Sequence, residues 1–234
     1  MLKKLRVLFA VVMGAVITFY FLDFAGLTTG WPNLARIQFV PALLAGSFGI
    51  VLILLVATLL FGRIYCSVIC PLGVFQDAVS WFSGKQKKNR FRYSPALKWL
   101  RYGVLAVFIL ALVAGLNAFV VLLAPYSAYG RMVSSLLAPV WQWGNNLLAY
   151  FAERAESYAF YEVDVWMKSL STLIIAVITL IVLFVLAWRN GRTYCNTICP
   201  VGTVLGFISR YSIFKPVIDT SKCNSCGLCA SILY

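Results

Sequence analysis

Four long apolar runs constrain the fold of this 234-residue chain more than any other feature of its sequence. They lie at Leu5–Phe24, Ile37–Phe61, Tyr102–Leu123 and Leu170–Trp188. Each is long enough for a helix across a hydrocarbon core of about 30 Å, which takes roughly 20 residues. A segment surrounded by lipid satisfies its own backbone hydrogen bonds only as a helix. The runs therefore predict an all-α integral membrane protein with about four transmembrane helices.

The start of the first run has a second interpretation. The stretch MLKKLR is basic and precedes apolar residues, as in a cleaved signal peptide. The run is long for that role and has no clear small-x-small cleavage site, so a retained helix is favoured. Cleavage would leave the orientation of the other runs unchanged.

The distribution of positive charge predicts the topology. The net charge is +13. If each apolar run crosses the membrane, 16 of the 20 Lys and Arg residues lie in segments on the same side. Lys and Arg mark the cytoplasmic side of membrane proteins. We expect a multi-pass membrane protein with both termini and all cysteines on the cytoplasmic side. The charge is thus a topology signal, and no nucleic-acid partner is expected.

One cysteine phrase occurs twice. Residues 62–73 read GRIYCSVICPLG and residues 191–202 read GRTYCNTICPVG, with eight of twelve positions identical. Each phrase follows a run that passes from outside to inside, so the two halves are predicted to be parallel repeats about an axis along the membrane normal. Such an axis would bring four thiols to one centre: Cys66, Cys70, Cys195 and Cys199.

The local spacing of each phrase predicts its geometry. Where Cys66 and Cys70 extend the preceding helix, positions four apart lie on one face. Pro71 disfavours helical geometry at Cys70, so the chain should bend there and a new helix should begin at Pro71. The same prediction holds for Cys199 and Pro200.

The four cysteines have three interpretations. In the first, which we favour, four thiolates bind a metal or an iron–sulphur cluster. In the second they are redox thiols, although the reducing cytoplasmic side opposes a standing disulfide. In the third they pack as small apolar residues. Arg63 and Arg192 precede the two pairs and either offset the charge of a thiolate centre or anchor the helix ends at the cytoplasmic surface.

The tail carries a separate signal, CNSCGLC. The spacing of Cys223, Cys226 and Cys229 begins the bacterial ferredoxin run C-x2-C-x2-C-x3-C-P. Zinc is the alternative, because structural zinc sites also use cysteine pairs. The chain has no histidine, which excludes mixed Cys/His zinc sites and histidine-ligated haem. The fourth cysteine of the run would fall at Leu233, which predicts a truncated run or a ligand from elsewhere.

The paired YCxxICP phrases followed by a ferredoxin-type tail resemble the membrane-bound 4Fe-4S ferredoxin-like (polyferredoxin) family of the NapH/NosR kind. The stretches LDFAG, QFVPALL and APYSAYGR also look like segments of that family. The resemblance implies cytoplasmic cysteine phrases and 4Fe-4S clusters in the tail, where only Cys223, Cys226 and Cys229 match. It further implies a place in the bacterial cytoplasmic (inner) membrane, and the missing fourth cysteine predicts a C-terminally truncated member.

These observations predict four segments: a first membrane repeat (1–84), a basic cytoplasmic linker (85–101), a second membrane repeat (102–213) and a partial ferredoxin-type tail (214–234). We expect an iron–sulphur subunit in the lipid bilayer that transfers electrons between a cytoplasmic or quinone donor and a partner redox subunit. No catalytic residue is predicted. The alternative function is cysteine-based metal handling or metalloenzyme maturation.

Overall fold

A computed structural model describes residues 2–22, 35–86, 97–154, 162–163 and 169–214, and every regular element in those ranges is helical. The all-α class is therefore confirmed. In chain order the helices are α1 (Leu2–Leu22), α2 (Phe39–Leu44), α3 (Phe48–Phe61), α4 (Pro71–Gln86), α5 (Lys98–Val113), α6 (Asn117–Leu123), α7 (Pro125–Met132), α8 (Ala138–Arg154), α9 (Leu170–Asn190), α10 (Thr193–Thr197) and α11 (Pro200–Ile208).

The first and fourth apolar runs form continuous helices of spanning length. Lys4–Leu22 in α1 and Leu170–Arg189 in α9 are long and apolar enough to cross a membrane. Both helices expose large apolar side chains, such as Val11 in α1 and Ile178 and Ile181 in α9. Extensive exposed apolar surface marks contact with a membrane or another protein. By length and composition, these are the two unbroken candidate spans among the described residues.

The second and third runs are each broken, which differs from the four continuous spans expected. Gly46 and Gly115 follow the last turns of α2 and α5 with positive φ angles of 67° and 69°. At each break the amides of the glycine and of the residue after it donate hydrogen bonds to carbonyls in the last turn of the helix, which is the Schellman arrangement. The run Asn117–Leu123 continues into Pro125–Arg154 after a bend of 77°, and the described residues have a third candidate span where this pair counts as one.

The helices that follow the two cysteine phrases pack across the halves of the chain. Helix α4, from the first half, packs against α9 of the second half, and α11 packs against α3 of the first. Ser83 of α4 donates a 2.8 Å hydrogen bond to the carbonyl of Trp188 in α9. This exchange places both cysteine phrases in the interior, where Cys66, Cys70 and Cys199 belong to the hydrophobic core.

Candidate metal centre

Each cysteine phrase begins with a glycine that stops the preceding apolar helix. Gly62 ends α3 with φ 70°, and Gly191 ends α9 with φ 71°. Positive φ is accessible to glycine at no steric cost. The chain therefore turns away from the helix axis before the first cysteine. Cys66 and Cys70 do not extend the preceding helix, because the turn at Gly62 separates them from it.

Beyond that glycine, the first cysteine of each phrase lies in a short helical turn. Cys66 is in a π-helical turn, Tyr65–Ile69, and Cys195 is in α10. The amide of the second cysteine closes each turn, from Cys70 to Tyr65 O at 2.9 Å and from Cys199 to Tyr194 O at 3.0 Å. The two phrases thus share one hydrogen bond that spans five residues.

The second cysteine of each phrase adopts the geometry that the following proline predicts. Cys70 has φ −76° and ψ 114°, and Cys199 has φ −69° and ψ 118°. Both are extended because a proline ring disfavours helical geometry at the residue before it. Pro71 and Pro200 then begin α4 and α11. The predicted bend and helix start are confirmed in both halves.

A repeated glycine holds each new helix against the first cysteine. A Cβ added at Gly73 would overlap the carbonyl of Cys66, and one added at Gly202 would overlap the carbonyl of Cys195. Only glycine permits so close an approach of two backbone segments. Each pair of cysteines and the first turn of the helix after it therefore form one compact unit.

All four thiols are buried and free. Burial raises the pKa of Cys66, Cys70 and Cys195 to about 12. Nearby thiols add to burial: Cys195 raises the pKa of Cys70, and Cys66 raises that of Cys195. These effects require thiols of the two halves to lie near each other. The free thiols are protonated at neutral pH, and a bound metal centre would displace those protons.

Hydrogen-bond donors point at three of the four sulphur atoms. The amide of Gly202 lies 3.3 Å from Cys199 Sγ, and Nε2 of Gln76 lies 3.3 Å from Cys195 Sγ. The amides of Leu72 and Gly73 donate to Cys70. Donors of this kind stabilise thiolates and tune iron–sulphur clusters. The buried sulphurs are therefore placed among groups that suit the charged, metal-bound form.

The arginines of the two phrases also contact the opposite half. Arg192 donates two hydrogen bonds to the carboxylate of Asp77 in α4, and Arg63 donates to Oδ1 of Asn196. Burial alone would lower the pKa of Arg192, but the hydrogen bonds and charge of Asp77 offset it, so the pKa is raised. Burial lowers the pKa of Arg63. Both arginines thus place positive charge beside the thiols.

The donor set consists of the residue type that binds iron–sulphur clusters. Among the described residues, no three Cys, His, Asp or Glu side chains form a group that could hold a metal ion. Four cysteine thiolates are the usual ligands of a 4Fe-4S cluster. Its four irons each take one thiolate, so the thiolates stand farther apart than ligands of one ion. The thiols and the amide donors therefore fit a cluster of this kind.

Several groups around the thiols were not expected from the sequence. Gln76 and Asp77 lie in the second turn of α4 and carry no motif of their own. Tyr65 donates a 2.9 Å hydrogen bond to Oε1 of Gln38, whose Nε2 donates to Ile69 O. The repetition of tyrosine in both phrases was the available signal for this network. The predicted tail ligands Cys223, Cys226 and Cys229 lie outside the described residues.

Comparison with known families finds the same duplication. A family model described as "4Fe-4S binding domain" matches the chain twice, at residues 43–89 and 171–219. The first match contains all of α3, the first cysteine phrase and all of α4; the second contains α9 from its second residue, the second phrase and all of α11.

Curated relatives match most of the chain. The chain is 26% identical to the ferredoxin-type protein NapH of Haemophilus influenzae over 79% of its length and 52% of the relative's. It is 27% identical to the methylamine utilization ferredoxin-type protein MauN of Paracoccus denitrificans, over 86% and 56% of the two lengths. It is 23% identical to the putative electron transport protein YccM of Escherichia coli, over 81% and 46%. The chain thus spans about half the length of these relatives. No solved structure matches.

Proposed function

We propose that the chain, a member of the NapH-like polyferredoxin family, is an iron–sulphur membrane subunit that transfers electrons to or from a partner redox protein. Its cofactor is a 4Fe-4S cluster, because the domain that it contains twice is a 4Fe-4S binding domain. When bound, such a cluster accepts and releases one electron at a time.

In this proposal the two halves jointly hold one cluster through Cys66, Cys70, Cys195 and Cys199. The observation that carries it is the burial of these four free thiols, with Gln76 of the first half donating to Cys195 of the second half and the Gly202 amide donating to Cys199. The turns after Gly62 and Gly191 present the first thiol of each pair, and the bends at the prolines present the second. The tail cysteines Cys223, Cys226 and Cys229 would hold a further cluster or part of one.

The chain's own residues have three roles in this centre. The apolar core around the thiols excludes water, which lowers the local dielectric and strengthens every charge interaction there. The amides of Leu72, Gly73 and Gly202 donate to sulphur. Arg63 and Arg192 supply positive charge that offsets the negative charge of four thiolates. These features set the potential at which an electron is exchanged.

The cellular setting is part of the same proposal. The segments 1–84 and 102–213 would be the two membrane repeats, joined by the basic linker 85–101, with both termini and the thiol centre on the cytoplasmic side of a bacterial inner membrane. Two helices of spanning length support a membrane location, and the excess of Lys and Arg in alternate segments supports this orientation. Electrons would pass between a cytoplasmic or quinone donor and the partner redox protein.

The centre is tested by purifying the full chain without oxygen in detergent and recording EPR spectra after reduction with dithionite. We expect a spin-half signal from a reduced cluster, with matching iron and sulphide contents. Replacing Cys66 and Cys195 together by serine, in a chain that also carries Cys226→Ser so that the tail does not contribute, should remove that signal. The control is Cys226→Ser, which alters only the tail and should retain it. A wild-type protein with zinc and no sulphide would contradict the proposal.

Quinone reaction is tested separately by protein film voltammetry. With a quinone analogue in solution, we expect a catalytic current that begins at the potential of the cluster. The same film of the Cys66→Ser, Cys195→Ser protein should give none. Absence of current from the wild-type film with every analogue tried would restrict the function to exchange with protein partners.

A further inference from the structure

We propose that Gln76 is a potential-tuning residue that donates a hydrogen bond to the Cys195 thiolate and makes the two halves of the centre unequal. This inference rests on the proposed four-thiol centre and goes beyond it. It assigns to one side chain, outside either cysteine phrase, a share in setting the potential. The supporting observations are the burial of Gln76, its hydrogen bonds and the residue at the equivalent position in the other half.

The amide of Gln76 is fully buried, with 0% of the side chain exposed. Its Nε2 lies 3.3 Å from Cys195 Sγ and 3.4 Å from the carbonyl oxygen of Leu72. Its Oε1 is also buried and has no hydrogen-bond partner in the described part of the chain. A buried amide is unfavourable unless it is hydrogen-bonded, so a glutamine here requires a reason other than packing.

The orientation of the amide follows from its two partners. A carbonyl oxygen and a thiolate are both acceptors, so they select the NH2 end of the amide. Turning the amide over would point Oε1 at both acceptors and leave the NH2 group without either. The donor end of Gln76 therefore faces Cys195 whenever that sulphur is a thiolate.

The other half shows that the fold does not need a polar residue at this position. The two phrases are 129 residues apart, so the residue equivalent to Gln76 is Leu205 in α11. Leu205 is also fully buried. Leucine fills a similar volume and carries no donor. The sequence thus has a side-chain donor on one side of the centre and an apolar side chain in the matching place.

A donor at one sulphur affects the two oxidation states unequally. Reduction adds negative charge to the cluster and its thiolates, and a hydrogen-bond donor stabilises the more negative state more. Gln76 therefore raises the reduction potential. Replacing it by leucine, the residue of the other half, removes the donor and keeps an apolar group of comparable size in the core.

The test is an EPR-monitored redox titration of the full chain with and without Gln76→Leu. Both proteins carry Cys226→Ser so that the tail does not contribute. At a fixed potential we expect the ratio of reduced to oxidised cluster to fall about tenfold, a shift of about 59 mV to lower potential for a one-electron couple. The control is Thr58→Val. Thr58 is also fully buried, but its hydroxyl bonds to Leu54 O of its own helix, so the potential should not move.

A second measurement detects the bond itself. With 15N in glutamine side chains, a pulsed EPR spectrum of the reduced cluster should show a weak nitrogen coupling that Gln76→Leu abolishes. Equal potentials and an unchanged coupling in the variant would overturn this inference and leave the four-thiol centre standing. No cluster signal in the unmodified chain would overturn the proposed function instead. Gln76→Met serves for both measurements where the leucine variant does not fold.

Discussion

The two cysteine phrases have nearly the same backbone and different neighbours. In both, a glycine with positive φ stops an apolar helix, and the second cysteine is extended before a helix-starting proline. The surroundings differ. Arg192 of the second phrase meets the carboxylate of Asp77 in α4. The residue equivalent to Asp77 in α11 is Gly206, and Arg63 packs over it together with Arg101.

This difference separates two kinds of position. The residues identical in both phrases include those whose backbone geometry leaves little choice: the glycines, the prolines and the cysteines that they orient. Positions just after the phrases differ, such as Gln76 against Leu205 and Asp77 against Gly206, and Gln76 and Asp77 contact the opposite half. A duplicated scaffold can therefore hold four equivalent thiols while the charge and hydrogen bonding on its two sides diverge.

The largest effect should come from breaking the feature that the halves share. Gly73→Ala and Gly202→Ala each drive a Cβ into the carbonyl of a cysteine. We expect each to lower the free energy of unfolding by about 3 kcal/mol and to reduce cluster content, measured by thermal unfolding in detergent and by iron assay. The control is Gly103→Ala in α5, where an added Cβ meets nothing within 4 Å. This substitution should raise the free energy of unfolding by about 0.5 kcal/mol. Equal behaviour of Gly73→Ala and Gly103→Ala would contradict the close approach.

A smaller loss of stability should follow from removing Asp77, the acid that has a glycine at the equivalent position of the other half. Asp77→Ala leaves Arg192 partly buried without its carboxylate. Because the pair is neither fully exposed nor fully buried, we expect a loss of about 2 kcal/mol. The matched change at the other arginine, Asn196→Ala, removes a neutral acceptor and should cost about 1 kcal/mol. Thermal unfolding of both variants compares them, and a larger loss from Asn196→Ala would reverse the expected order.

The smallest effect should come from making the halves alike. Gly206→Asp places a carboxylate at the position equivalent to Asp77 in the second half, beside Arg63 and Arg101. A Cβ there would lie 2.8 Å and 2.7 Å from NH2 of these two side chains, whose flexible ends can move. We expect Gly206→Asp to be more stable than Gly206→Asn by about 0.5 kcal/mol. High salt should diminish that difference in unfolding temperature, and a difference of opposite sign would show that the arginines already have sufficient negative charge nearby.

Features determined by adjacent residues were predictable from the sequence, and features determined by distant contacts were not. The bends at Cys70 and Cys199 follow from the prolines next to them, and α1 and α9 follow from uninterrupted apolar runs. The breaks at Gly46 and Gly115 were missed because a lone glycine in an apolar run lowers helix stability without revealing where the helix stops.

The partners of the arginines and of Cys195 were missed for a different reason. Asp77 and Gln76 belong to α4, and their contacts with the second phrase depend on how the halves pack. No local pattern in the sequence indicates that packing. The offset of 129 residues relates Gln76 and Asp77 to equivalent positions in the second half. The repeat therefore identifies positions where the two halves differ, but it does not show what the residues there contact.

The most direct test of the central claim, that both halves supply ligands to one centre, compares Cys66→Ser, Cys195→Ser and the double variant by Mössbauer spectroscopy and iron content, all carrying Cys226→Ser. A shared cluster predicts that either single variant loses or converts the same spectral component and that the double variant loses no additional iron. Separate centres would be shown by single variants that remove different components, with the losses adding in the double variant.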